Sequence, residues 1–220
     1  MSMKKILESL RKADKEFTTS EEIKKYSKKL RYPYNNVINY LSSQGFILKI
    51  FQGLYYVKSE EEIQSEKIKY SLLELVARAV EMKRIKDWYY GLYTALTLNG
   101  KEIPEKNEDM YKKNTFYIIS DRFAKRKPIK ILNYEFVFIK IKYNLATFGI
   151  IDKVIRYSDL EKTILDFIYL WNYSGMHTTK IRVKISNYMY KAIDKDKIIE
   201  YSRNYSNLVQ NILNEVVNEI

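Results

Sequence analysis

The sequence predicts an α+β fold in two domains, and three observations predict it. Residues 17–57 read as two short helices joined by a turn and followed by a tight two-stranded hairpin. Apolar residues then keep a helical spacing to about residue 98, and from Thr115 they recur every second residue. From Ser158 the helical period returns and lasts to Ile220. The expected architecture is an N-terminal winged helix-turn-helix domain over 1–59. A mixed domain over 60–220 follows, with a small, mainly antiparallel sheet and flanking helices.

In chain order, Lys4 to Ala13 carries Ile6, Leu7 and Leu10 on one face and reads as a helix packed behind the next two. Thr19, with Glu22 three residues on, makes a capping box for a second helix. Ile23 and Tyr26 give that helix a buried side, and Lys24, Lys25, Lys28 and Lys29 face outward. Pro33 suits the first turn of a third helix, where its missing N–H costs nothing. Val37, Tyr40 and Leu41 should face the core, and Gly45 falls where a left-handed cap is wanted. FILKIF and LYYV alternate as strands around Gln52-Gly53, a hairpin-turn signal.

At Ser59-Glu-Glu-Glu62 the composition turns from basic to acidic, which sets the expected domain boundary. Helix is expected to about Lys83, on the stripe Leu72, Leu73, Leu75, Val76, Ala79 and Val80, and again from about Asp87 to Leu98. Lys101 to Asn114, with Pro104 and many charges, reads as a loop. TFYIIS (115–120), PIKIL (128–132), YEFVFIKIKY (134–143) and ATFGI (146–150) read as strands. The basic run Arg122 to Lys130 joins the first two, as a solvated loop or a second phosphate contact. Ser158-Asp-Leu-Glu161 reads as a capping box for a helix burying Leu160, Ile164, Leu165, Phe167 and Ile168. Met189 to Tyr201 and Tyr205 to Ile220 read as two more helices, the last docking through Leu208, Ile212 and Val216.

A winged helix usually holds duplex DNA, with the N-terminal residues of its second helix-turn-helix helix on base edges. If Pro33 to Ser43 is that helix, the expected base contacts are Arg31, Tyr32, Tyr34, Asn35, Asn36 and Asn39. Asn pairs bidentately with adenine and Arg with guanine. Thr18, Ser20, Lys28, Lys29, Lys49 and Gln52 are expected on phosphates. An RNA reader or a protein-contact module is the alternative; Tyr32, Tyr34, Tyr55 and Tyr56 would supply stacking rings for RNA.

Whole-chain charge agrees with an anionic partner. The formal net charge is +12 and the pI about 9.4, which favours nucleic acid first and a membrane surface second. Residues 1–59 hold twelve Lys and Arg against five Asp and Glu, so more than half of the excess lies in about a quarter of the chain. The absence of cysteine excludes disulfides, thiol catalysis and Cys-ligated zinc. No apolar run approaches the roughly 20 residues of a membrane span. The first residues lack the apolar core and cleavage site of a signal peptide. A cytoplasmic location is expected, in a thermophile or archaeon or from an AT-rich genome.

The order of pieces resembles a family. The wing sequence QGLYYV, then YYGLYTALTLNG, a small sheet and RYSDLEKTILDFIYL resemble the AbiEi-type antitoxins of type IV toxin–antitoxin systems. The matching residues are Gly53-Leu54-Tyr55, Tyr90-Gly91 to Ala95-Leu96, and Glu161-Lys162-Thr163 with Asp166. The resemblance runs from about residue 3 to 172. It implies a repressor whose N-terminal domain binds inverted repeats upstream of its own operon. It also implies a C-terminal domain that neutralises a nucleotidyltransferase-like toxin encoded nearby, without direct contact being required. A homodimer on two half-sites and a monomer on tandem sites both fit this reading.

Enzyme readings are weaker, and no catalytic residue, cofactor or metal is expected. A metal-dependent nuclease would need Asp121, Glu135 and Lys140 in one site, yet Glu135 and Lys140 are five apart on a strand and so face opposite ways. Glu161 and Asp166 are about 140° apart on a helix, which argues against a paired-acid site and leaves Glu161 as a cap. Ser174, Gly175 and His177 share a loop with no acid indicated to complete a triad. Phosphate-binding, dinucleotide, zincin and nucleophile-elbow motifs are absent from the sequence.

Overall fold

Thr19 caps its helix from both directions. Its side chain accepts from the Glu22 N–H at 3.2 Å, and the Glu22 carboxylate accepts from the Thr19 N–H at 3.0 Å. The computed structural model that shows this describes residues 4–12, 15–101, 113–124, 127–189 and 193–218, with 187 and 189 described by backbone alone. The first elements are α1 (Lys4–Lys12), β1 (Phe17–Thr19), α2 (Ser20–Lys29), α3 (Tyr34–Ser43), β2 (Ile47–Phe51) and β3 (Leu54–Val57). The three strands form an antiparallel sheet in the order β1-β3-β2. This is a winged helix-turn-helix, with the wing at the β2–β3 turn.

The two central helices end alike. After α3, the Phe46 N–H reaches the Leu41 carbonyl at 2.9 Å and the Gly45 N–H reaches Ser42 at 3.0 Å. After α2, Tyr32 reaches Ser27 at 2.9 Å and Arg31 reaches Lys28 at 3.2 Å. Both patterns need a left-handed residue, supplied by Gly45 (φ +68°) and by Arg31 (φ +59°). Ile6, Leu7, Leu10, Ile23, Val37 and Leu41 pack with Ile47, Tyr55 and Val57 beneath them.

The chain divides into two compact units at 84/85, not at 59/60. Helices α4 (Glu60–Gln64) and α5 (Leu72–Met82) therefore go with the winged helix. The acidic run is bonded into the base of the sheet. The Glu62 carboxylate is buried and accepts from the Tyr56 hydroxyl at 2.7 Å, the Lys69 N–H at 2.7 Å and the Ser59 N–H at 2.8 Å. Glu16, just before β1, accepts from Tyr70 at 2.7 Å and pairs with Lys69. These bonds occupy 65–71, which breaks the expected single helix, and Ser71 recaps α5 with Glu74.

In the C-terminal unit the helix expected from Asp87 begins instead as a strand, β4 (Trp88–Tyr90), and only then becomes α6 (Leu92–Leu98). Three aromatic residues favour the pleated conformation, and all three are buried. Gly91 makes the corner, where any Cβ would collide with Ile119. The sheet continues with β5 (Thr115–Ser120), β6 (Ile129–Ile131), β7 (Tyr134–Lys140), β8 (Ile150–Asp152) and β9 (Arg156–Ser158). Its order is β6-β7-β5-β4-β9-β8. β5–β7 and β4–β9 are parallel and the other pairs antiparallel, so the sheet is larger and more mixed than expected.

Four helices follow: α7 (Leu160–Tyr173), α8 (Thr178–Met189), α9 (Lys195–Ser202) and α10 (Asn207–Asn218). Their core joins Tyr89, Ile119, Ile164, Phe167, Ile185 and Leu213. Helix α8 is unforeseen over most of its length, because Lys184 interrupts its apolar series. Lys184 is buried, with its ammonium 5.8 Å from the Trp171 ring centroid. In α10 the expected Ile212 and Val216 are buried together with Val209 and Leu213, whereas Leu208 is 44% exposed and leaves the docking stripe. ATFGI is not a strand: it runs from a 3-10 turn at Tyr143–Leu145 into Gly149 (φ +65°), and pairing starts at Ile150. The expected loop from Lys101 to Asn114 lies outside the described residues over 102–112. Among the described residues no helix is long and apolar enough to cross a membrane.

Candidate nucleic-acid interface

Helix α3 sorts its residues by side. At about 100° per residue, Ser42, Asn35, Asn39, Ser43 and Asn36 fall within an arc of about 120°, with Val37 and Leu41 opposite. The five polar residues are exposed, and Val37 and Leu41 are buried. Tyr34, Ile38 and Tyr40 flank the buried side and are half-buried. The packing of α3 thus presents its carboxamides outward.

Of the expected base contacts, Asn35, Asn36 and Asn39 share this outer arc, and Arg31 is exposed in the turn before it. The two tyrosines are turned in. Tyr32 and Tyr34 are half-buried against the helical core. The Tyr34 hydroxyl donates to Ser20 Oγ at 2.9 Å and lies 3.5 Å from the Tyr55 hydroxyl. Burial first, and then this neighbour, push the Tyr55 hydroxyl above its ordinary value.

Of the expected phosphate contacts, Lys28, Lys29, Lys49 and Gln52 are exposed, Gln52 at the tip of the wing. Thr18 is not available. It is 1% exposed, and its hydroxyl donates to the Glu22 carboxylate at 3.1 Å. Ser20 is half-buried: its hydroxyl accepts from Tyr34, and its N–H donates to the Gly53 carbonyl at 2.9 Å, tying the wing turn to the start of α2. Glu22 is drawn into this end of α2. Burial raises its pKa, but bonds from Lys15, the Thr19 N–H and the Thr18 hydroxyl outweigh that and hold it below the usual carboxyl value.

The C-terminal unit contains a closed polar cluster. Lys162 and Asp166, one turn apart on α7, are both fully buried and ion-paired. Asp166 accepts from the Tyr89 hydroxyl at 2.7 Å and the Tyr205 hydroxyl at 2.8 Å. The Lys162 ammonium donates to the same two hydroxyls at 3.0 and 2.8 Å, with the Phe148 ring 5.1 Å away. Burial lowers the Lys162 pKa despite the carboxylate, and burial followed by the Asp166 charge raises those of Tyr89 and Tyr205. The donors and acceptors are used on one another.

No family model and no curated protein matches this chain. A solved structure is similar to it in fold. That structure is the crystal structure of the RV2827C protein from Mycobacterium tuberculosis, with a TM-score of 0.58 at 10% identity, over 97% of this chain and 75% of that one. At that identity the likeness is one of fold alone.

The other candidate residues are dispersed. Asp121 follows Ser120, whose register partner is Lys140, whereas Glu135 pairs with Thr115 at the other end of β7, about 17 Å along the strand. Glu135 forms an ion pair with Lys130 at 3.6 Å. Among the described residues no group of three His, Asp or Glu is placed to hold a metal. The cap of α7 is Asp159, which accepts from the Lys162 N–H at 2.9 Å, and not Ser158 with Glu161. Glu161 accepts from the Asp194 N–H at 3.1 Å and from Lys197 at 3.0 Å, so it serves the start of α9. His177 is exposed and accepts from the Thr179 N–H at 3.4 Å at the start of α8. In the run 122–130, Arg122 pairs with Asp121 at 3.1 Å, and 125 and 126 lie outside the described residues.

Sequence reasoning left out three exposed residues that border the expected contacts. Ser42 lies seven positions after Asn35 and so stands above it on the same arc, a spacing signal present in the sequence; Ser43 borders them. Lys24 was assigned only an outward face, yet its ammonium lies 5.3 Å from the Tyr34 ring centroid at the start of α3.

Proposed function

We propose that the chain is a duplex-DNA-binding transcriptional regulator that reads sequence with α3 and Arg31 and holds the phosphate backbone with α2 and the wing. The observation that carries this reading is the outward arc of Asn35, Asn36 and Asn39, set opposite buried Val37 and Leu41 and flanked by exposed Arg31, Lys28 and Lys29. Helix-turn-helix proteins place such an arc in the major groove. The strongly positive net charge supports a polyanionic partner.

The finer reading is an autorepressing antitoxin acting in the cytoplasm on its own operon, with a nucleotidyltransferase-like toxin encoded nearby. It is supported by the resemblance carried by Gly53-Leu54-Tyr55, Tyr90-Gly91 and Glu161-Lys162-Thr163 with Asp166. The RNA alternative loses its support, because Tyr55 and Tyr56 are buried and Tyr32 and Tyr34 are turned inward.

The test is binding of the purified chain to duplex from immediately upstream of its gene, against random duplex, across a salt series. Sequence-preferring binding is expected, with Asn35→Ala relaxing preference at one position at a cost of about 1–3 kcal/mol. Lys28→Ala should weaken all duplexes alike and lower the salt slope by about one. Equal, fully salt-sensitive binding to both duplexes would refute sequence reading. Toxicity of the neighbouring gene, relieved by this chain, tests the antitoxin reading.

A further inference from the structure

The outer arc of α3 contains only amides and hydroxyls: Asn35, Asn36, Asn39, Ser42 and Ser43, all exposed. No residue from Tyr34 to Ser43 carries a charge. The cations near this face stand off the helix. Arg31 is in the preceding turn, and Lys24, Lys28 and Lys29 are on α2. Reading by α3 itself is therefore left to uncharged groups.

The chemistry of the arc selects among bases. A carboxamide offers one donor and one acceptor in a plane, which matches the N6 donor and N7 acceptor of adenine in the major groove. Guanine displays two acceptors there, N7 and O6, and is met by a side chain with two donors, Arg or Lys. The arc has none. Asn35 and Asn39 are one turn apart, about 6 Å along the axis, close to the rise of two base-pair steps, about 6.8 Å.

Resting on the DNA reading above, we infer that the part of the selected sequence read by α3 is written in adenine. The preferred duplex places two adenines about two steps apart against Asn35 and Asn39, with a third nucleotide contact at Asn36. Hydroxyls at Ser42 and Ser43 accept any base and border the site without narrowing it.

The test uses the full chain and a randomised duplex pool. Selected duplexes are then remade with 7-deazaadenine at each conserved adenine, which deletes N7 and leaves base pairing intact. The expected result is an A·T core in which each replacement costs about fivefold or more in affinity. Asn39→Ala should remove that sensitivity at one position and keep it at the others. Asn39→Arg should convert that position to a preference for guanine, a gain that misfolding cannot imitate. Selection of guanines opposite α3, or an A·T core indifferent to 7-deazaadenine, would overturn adenine reading and leave groove shape as the source of preference. If no duplex is selected over any other, the DNA reading beneath it fails as well.

Discussion

The ammonium of Lys162 rests on the carboxylate of Asp166 where neither side chain has any exposed surface. Removing one member of such a pair leaves the other charge buried and unmatched, which costs about 3–5 kcal/mol. Asp166→Ala is expected to destabilise the C-terminal unit by that amount. The paired replacement Lys162→Met with Asp166→Leu should cost less than the single one. Both tryptophans, Trp88 and Trp171, lie in this unit, so urea unfolding followed by tryptophan emission reads it directly. An Asp166→Ala midpoint equal to the parent's would contradict the pairing.

Acid should loosen the N-terminal unit first around β1 and α4. Burial raises the Glu62 pKa, but the Lys69 and Ser59 N–H groups and the Tyr56 hydroxyl outweigh it and hold the group below 4.5. Glu16 is held down in the same sense by Lys69 and Tyr70 against the opposing effect of burial. A carboxyl whose folded value is depressed stabilises fully above its unfolded value, and that stability is lost as pH falls through the folded one. The protection of 54–71 against hydrogen exchange, taken relative to the intrinsic rate at each pH, should therefore be flat above pH 4.5 and fall below it, with Glu62→Gln reducing the change.

Gly149 and Gly100 should respond differently to the same substitution. Both have positive φ. A Cβ at Gly100 meets open space, while one at Gly149 would lie 2.7 Å from Lys162 Cβ and 2.9 Å from the Tyr201 ring. Gly100→Ala is expected to cost about 1 kcal/mol for the left-handed backbone alone. Gly149→Ala adds overpacking and should cost about 2–4 kcal/mol. Equal shifts in the tryptophan-monitored midpoint would mean that the contact at Gly149 is relieved.

Arg31 holds a position that glycine would fill more cheaply, φ +59° after α2. Arg31→Gly is expected to raise the stability of the N-terminal unit by about 1 kcal/mol. It should also relax base preference at one position of the duplex, at a cost of about 1–3 kcal/mol. Calorimetry and binding isotherms on one variant check both, and a loss of stability would place a packing role on the arginine side chain.

Thr18→Val and Tyr34→Phe should leave the salt slope unchanged, since both hydroxyls point inward, to Glu22 and Ser20. Each should cost about 1 kcal/mol of stability as a lost hydrogen bond. A reduced slope in either variant would return that residue to the duplex surface.

Much of the N-terminal unit is legible in the sequence because its signals are local. The Thr19–Glu22 cap, Gly45, and the Gln52-Gly53 turn each act within a few residues, and Asn35, Asn36 and Asn39 follow from the period of one helix. What escaped depends on distant partners. Thr18 is buried because Glu22 turns back over it, and Tyr34 is withdrawn by Ser20, fourteen positions earlier. In the C-terminal unit, Trp88–Tyr90 has a helical neighbour in sequence and becomes a strand because β5 and β9 pair with it from both sides. The acidic run at 60–62 marks no boundary, since Glu62 is consumed by Tyr56 and Lys69. No local rule reveals these pairings.

The separations within the Lys162 cluster bear on how the chain emerges from the ribosome. Tyr89 and Tyr205 lie 73 and 43 residues from Lys162, and β4 finds its parallel neighbour only when Tyr157 has been made. The winged helix lies within a compact unit that ends at Arg84. Domains generally fold as units, N-terminal first, during synthesis, and pairings so far apart in sequence form late. During translation, then, the winged-helix unit precedes a second unit still waiting for its last helices.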